Sequence, residues 1–324
     1  MQAKIYSPTP TNLRHLAAVL QQGGLVAMPT ETVYGLAANA LDGPACRAIF
    51  QAKRRPANDP LIVHVLDLAH AEQLAEFNAA ARKLARRFWP GPLTLVLPKK
   101  PCVPGIVTAG GPTVAIRAPA HPLARRLLRL AGVPLAAPSA NPFGYISPTT
   151  AAHVVDGLGR RIPHVLDGGA CPVGVESTVL DLTNPARPRV LRPGAVTAEQ
   201  LQKFLGSAVR QAKGGASRAC LLAPGMMARH YSPRTPLVLR NPGTKLPPGV
   251  SVILLRKPGG QSAGHVFWLS ERGALREMAR NLYRVLRQVD EGRYRQIWLE
   301  ALPDDSGGLA AAITDRMKRA ATRR

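Results

Sequence analysis

The chain has 324 residues, about twice what one typical domain needs, and is 46% hydrophobic but only 5% aromatic, so two domains with cores of Ala, Val and Leu are expected. Its formal charge of +24 divides as 22 Lys and Arg against 11 Asp and Glu in residues 1–206 and 21 against 8 in 207–324; this field favours polyanions, although free use of arginine produces the same figure. The four cysteines are scattered without a C-x-x-C pair, and no apolar stretch approaches a leader or a span of about 18 residues, which argues against a zinc site, a disulfide framework and a membrane protein and for a cytoplasmic one.

In chain order, Leu13, Leu16, Ala17 and Leu20 lie at helical spacing over residues 11–22, and Gly23-Gly24 stops that helix. A buried strand follows at 25–28 and a helix at 44–53 with Pro44 in its first turn. A strand at 61–66, a helix at 70–88 closed by Pro90-Gly91-Pro92, and a strand at 93–97 come next. The alternation continues with strands at 113–117, 135–137, 165–166, 177–182 and 189–191, and helices at 122–131, 149–157 and 197–205. Short Gly/Pro loops join several strands and leave no room for parallel crossovers, so residues 1–206 read as one α/β domain with a large mixed sheet.

Residues 207–236 hold Gly214-Gly215, Pro224-Gly225, Pro233 and Pro236 without periodicity, and read as an interdomain linker. Residues 237–324 read as a smaller Rossmann-like α/β domain. Its strands fall near 251–255, 265–269 and 296–300 and its helices at 273–289 and 308–319; it lacks G-x-G-x-x-G.

No Walker A, kinase, H-E-x-x-H or G-x-S-x-G motif is present. Five segments are suited to a ligand. The first, P-T-E-T-V-Y-G (29–35), leaves a strand with hydroxyls at its edge, or merely caps the sheet. Lys53-Arg54-Arg55 either clamps phosphate oxygens or complements a helix C-terminus in solvent, and His64 lies on the next strand with Ile62 and Leu66 on its face. Arg117 ends an apolar strand and needs a carboxylate, from the protein or from a ligand. Ser139 and Asn141 occupy a turn, with Ser147 and Thr149 beyond; G-V-E-S-T (174–178) enters a strand, with Arg192 further on.

Taken together and in order, P-T-E-T-V-Y-G, K-R-R-P, P-L-I-V-H-V, W-P-G-P-L-T-L-V-L, V-A-I-R-A-P, A-P-S-A-N and G-V-E-S-T-V resemble the YrdC-like domain of threonylcarbamoyl-AMP synthases over residues 10–205. P-G-M-M-A-R-H-Y-S-P (224–233) resembles the linker of the long, two-domain form. The resemblance implies an ATP-dependent nucleotidyltransferase: L-threonine, bicarbonate and ATP give L-threonylcarbamoyl-adenylate and pyrophosphate. A partner transferase then modifies the tRNA adenosine next to the anticodon. It implies Mg²⁺ accompanying ATP, no tightly bound cofactor and no protein metal site. Contact with tRNA or double-stranded RNA stays open.

By motif position, the resemblance implies that Thr32, His64, Arg117 and Ser177, with the Ala137 backbone, bind threonine and carbamate. Lys53 and Arg55 are the implied catalytic cations and ATP ligands. The other implied nucleotide contacts are Asp59, Thr113, Ser139, Asn141, Ser147 and Arg192, with His230 and Tyr231 laid over the pocket as a lid. Asp59 and Phe143 depart from the residues usual at their positions, which puts the Asp59–ATP contact in question. Two other readings stand beside this one: carbamoyl-adenylate formation, whose carriers have zinc-finger cysteines that this chain lacks, and a non-catalytic double-stranded RNA-binding protein of the same fold.

Overall fold

In the computed structural model of the chain, residues 2–212, 230–241, 247–259, 264–303 and 307–322 are described. An edge strand β1 (Lys4–Tyr6) precedes α1 (Pro10–Gln21), which buries Leu13, Leu16, Ala17 and Leu20. Thr9 caps that helix by accepting from Asn12 N, and Pro10 sits where a helix has no use for an N–H. Then come β2 (Val26–Met28), β3 (Gly35–Asn39), α2 (Gly43–Lys53), β4 (Ile62–His64), α3 (Leu68–Glu72) and α4 (Ala79–Phe88). β5 (Leu93–Pro98), β6 (Thr113–Arg117), α5 (Pro122–Ala131), β7 (Leu135–Ala136), α6 (Ala151–Leu158) and β8 (His164–Leu166) follow. β9 (Thr178–Asp181), β10 (Arg189–Arg192), α7 (Ala198–Leu205) and β11 (Arg210–Gln211) complete the first unit.

These eleven strands form one sheet in the order β1-β8-β2-β3-β7-β4-β6-β5-β9-β10-β11. It is mixed, as the short loops require: β4 runs parallel to β6 and β5 to β9, whereas β2/β3, β5/β6 and β9/β10 are antiparallel. Two departures from the sequence reading stand out. The helix expected over 70–88 is two helices, because the Asn78 side chain caps α4 at Ala81 N and donates to Leu182 O, restarting the chain in a new direction. The small-residue strand β3 carries no β-branched signal, yet pairs on both sides, with β2 and β7. Within 207–236, β11 adds to β10 in parallel, and the glycines and prolines at 214–225 lie outside the described residues.

The second unit comprises β12 (Leu237–Arg240), β13 (Val250–Arg256), β14 (Val266–Ser270), α8 (Leu275–Glu291), β15 (Gln296–Glu300) and α9 (Leu309–Ala320). Its sheet is parallel throughout, in the order β12-β15-β13-β14. Leu282, Leu286, Ile297 and Ile313 anchor its core, and the same apolar cluster takes in Val33, Ile146 and Val175 of the first unit. Gly174 marks how close the units come: a Cβ there would stand 2.4 Å from the Arg280 Cα. No helix among the described residues is long and apolar enough to cross a membrane.

Candidate active site

The register of the central strands builds the site. β4 and β6 set Ile62 beside Ala115 and His64 beside Arg117, and Ala137 N donates to Ile62 O at 2.9 Å. Alternation then puts Ile62, His64, Ala115 and Arg117 on one face. On that face lies a hollow walled by side chains from several of these strands and the loops between them. Ile62 is part of its floor and clusters with Val96, Ala115, Val179 and Leu191.

One end of the hollow is organised by Arg117, which is 3% exposed. Its Nη1 donates to Thr32 Oγ1 at 2.9 Å and its Nε to Gly91 O at 3.2 Å. Its Nη2 stands 2.6 Å from Glu31 Oε1 at an angle unsuited to a hydrogen bond, so charge carries that contact. Burial pushes the Glu31 carboxyl up, but the charge of the adjacent Arg117 outweighs it and leaves the group below its ordinary value. The partner that Arg117 needed is thus, in this structure, a carboxylate of the protein. His64 is held neutral: burial, then the charge of Arg117, lowers it to about 3. Its Nδ1 is buried with no partner among the described residues.

The other end is cationic. Arg54 caps α2 in the left-handed conformation (φ 52°), which turns Lys53 and Arg55 inward and leaves Arg54 in solvent. The K-R-R run is therefore not a solvated face. Arg55 lines the hollow, donates to Asp59 O and Pro60 O at 3.0 and 2.8 Å, and pairs with the Asp59 carboxylate at 2.9 Å. Arg192 lines it too, donating from Nε to Ser177 O and from Nη2 to Ser177 Oγ, both at 3.1 Å. That approach needs a residue without a side chain at 194, where a Cβ would stand 2.3 Å from Thr178 N.

Thr32, Ala137, Ser139, Ser177, His230 and Tyr231 join these residues in the walls. His230 is lowered to about 3, first by burial, and Phe143 packs edge-on against it at 6.1 Å. Tyr231 adopts φ 65°, a strained conformation for a bulky side chain, and its buried hydroxyl has no partner among the described residues. The residues preceding His230 in the linker motif, Pro224 to Arg229, lie outside the described ones.

Other expected site residues stand behind the walls. The Lys53 ammonium is buried, donating to Ser139 O and, at 2.6 Å, to Asn141 O; Asn141 in turn donates to Pro142 O and Tyr145 O. Together they fix the 139–145 loop. Asp59 reaches the hollow only through Arg55. Thr113 sits at the far end of β6 from Arg117, on the same face by alternation.

Ser147 donates to Glu176 Oε1 at 2.6 Å. Glu176 itself lines the hollow, as does Thr30, and Thr94 Oγ1 bonds Ser177 Oγ at 2.7 Å. Sequence reasoning gave none of these three a role. Glu31 and Glu176 stood inside quoted motifs, but their partners lie far along the chain.

A large mixed sheet with such a hollow is thus backed by a small parallel unit. Residues 18–194 match the family described as telomere recombination, and residues 196–322 the family described as threonylcarbamoyl-AMP synthase, C-terminal domain. The threonylcarbamoyl-AMP synthase of Pyrococcus abyssi is 42% identical over 322 residues, covering 95% of this chain and 93% of that one. That of Bacillus subtilis is 41% identical over 333 residues, covering 97% and 94%. The crystal structure of P. abyssi Sua5 complexed with L-threonine has a TM-score of 0.90 at 40% identity, covering 98% of both chains. The chain belongs to the threonylcarbamoyl-AMP synthase family.

Proposed function

We propose that the protein condenses L-threonine, bicarbonate and ATP into L-threonylcarbamoyl-adenylate with release of pyrophosphate, and so acts as a nucleotidyltransferase. The observation that carries the reading is the hollow itself, with buried guanidiniums at both ends and buried polar groups left without partners among the described residues. Such groups are costly in an empty fold and become useful when a polar ligand arrives.

In this reading Arg117 exchanges Glu31 for the threonine carboxylate, a forked donor meeting a planar acceptor. Thr32, neutral His64 and Ser177 orient the carbamate formed from the threonine amine and bicarbonate. A carbamate oxygen attacks the α-phosphorus of ATP, and the bond to the β-phosphate oxygen breaks, so pyrophosphate leaves with that electron pair. The substrates supply nucleophile and leaving group; the protein contributes alignment and charge.

Arg55 and Arg192 hold the phosphates, and Lys53 acts by fixing the Ser139–Asn141 turn under the nucleotide. Magnesium enters as part of the MgATP substrate, since the nearby Asp59 and Glu176 carboxylates are engaged by Arg55 and Arg316. His230 and Tyr231 cover the hollow and limit water around a hydrolysable adenylate. The product passes to a cytoplasmic transferase that places the threonylcarbamoyl group on tRNA.

The test is pyrophosphate release from purified protein with MgATP and bicarbonate, with and without L-threonine. Threonine-dependent release is expected. Its absence in an ATP-binding protein would overturn the assignment, and salt-sensitive binding of double-stranded RNA would then take its place.

A further inference from the structure

Beside the cations of the hollow stands a carboxylate that the reaction above does not use. Glu176 is 5% exposed and lines the same wall as Arg55 and Arg192. A buried carboxylate there repels a triphosphate, and the low dielectric strengthens the repulsion. It also competes for Arg192, whose charge already helps to hold Glu176 ionised.

The second unit answers that charge. Arg316, on α9, donates from Nε to Glu176 Oε2 at 2.8 Å, and the Tyr283 hydroxyl, from α8, donates to the same carboxylate at 2.9 Å. The Arg316 side chain is fully buried, bonds Asp315 at 2.7 Å, and lies 5.3 Å from the Tyr231 ring centroid. Adhesion alone does not account for such a pair. Apolar contacts already join the units, and burying two charges costs nearly as much as their attraction returns.

We propose that Arg316 is a positioning residue for the nucleotide. It neutralises Glu176 and holds that carboxylate on the side of the second unit, so that Arg55 and Arg192 present their charge to the polyphosphate. The second unit is then part of the nucleotide site without touching the nucleotide. This inference rests on the reading that the hollow takes ATP.

The experiment is calorimetric titration of the full chain with ATP and, separately, with L-threonine, for the wild type, Arg316→Met and Glu176→Gln/Arg316→Met. Arg316→Met is expected to weaken ATP binding at least about tenfold, equivalent to about 1.4 kcal/mol, and to leave threonine within about twofold. The double variant is expected to return ATP affinity to within about threefold of the wild type, a recovery that mere loss of packing cannot produce. Equal loss for both ligands, no loss for ATP, or no recovery in the double variant would overturn the proposal.

Should Arg316→Met not fold, Glu176→Gln alone decides. With the repelling charge gone, it binds ATP at least as tightly as the wild type, and weaker binding overturns the idea. A wild type that binds ATP yet releases no pyrophosphate with threonine sinks the proposed function and leaves this inference standing. A wild type that does not bind ATP sinks both.

Discussion

The two ends of the hollow solve the same problem with different parts of the chain. At one end Arg117 and Glu31 come from β6 and the loop after β2, both within the first unit, and each neutralises the other. At the other end Glu176 belongs to the first unit, but its cation and its phenol belong to the second. The first end is self-contained, whereas the second is completed only by docking. On the proposed reading a ligand carboxylate exchanges for Glu31 locally, while the field proposed to meet a polyphosphate depends on contacts more than 100 residues apart in sequence.

Arg117→Ala is the most severe way to break this comparison. It strands Glu31 in the interior and is expected to cost about 3–5 kcal/mol in denaturant unfolding. Threonine-dependent pyrophosphate release should fall by roughly 100-fold or more. Adding Glu31→Gln should restore much of the stability and none of the activity; recovered activity would remove Arg117 from substrate binding.

Arg55→Ala, which strands Asp59, should cost slightly less, about 3 kcal/mol. It should raise KM for ATP roughly tenfold with KM for threonine nearly unchanged. A matched rise in both constants would show that the two ends are not separable.

Acid supplies a milder test that spans both ends. His64 and His230 have folded values near 3, below the ordinary 6.5, so below pH 6.5 the unfolded chain binds protons that the folded one refuses. Their contribution is fully present above pH 6.5. It is lost on acidification toward pH 3 at about 1.4 kcal/mol per pH unit for each histidine. Glu176, held at about 2 by Arg316 and Arg192 against the effect of burial, adds its own loss below pH 4.5. Urea titrations at pH 7, 6 and 5 should show that slope, to which His153, lowered to about 4 by burial, adds its own, and His64→Asn should remove one histidine's share of it. Tyr283→Phe should have the smallest effect, about 1–2 kcal/mol in the same titrations, since it deletes one hydroxyl and keeps the charge pair.

Much of the first unit was legible because its signals are local. α1, α2, α5 and α7 start at caps or prolines visible in the sequence, and apolar runs marked the inner strands. β1 and β3 were missed: one is three residues at an edge, the other is small residues that become a strand only through their neighbours. β12 was missed as well, hidden in a proline-rich approach. Among the site residues, motif order brought Thr32, His64, Arg117, Ser139, Ser177 and Arg192 to one hollow. It could not show that Lys53 faces carbonyls rather than the hollow, because that depends on the left-handed turn at Arg54. Nor could it show Glu176 as a junction, because Arg316 and Tyr283 carry no motif and meet it only in three dimensions.

The shared apolar cluster has a consequence for biosynthesis. A chain made from its N-terminus releases Val33, Ile146 and Val175 before α8 and α9 exist to cover them. Over that interval the first unit is a sticky intermediate, exposing an apolar face beside an ionised Glu176 that lacks its arginine. The late arrival of the last helix thus sets two clocks at once: when the nascent protein stops being prone to aggregate, and when the end proposed to take the nucleotide acquires the right charge.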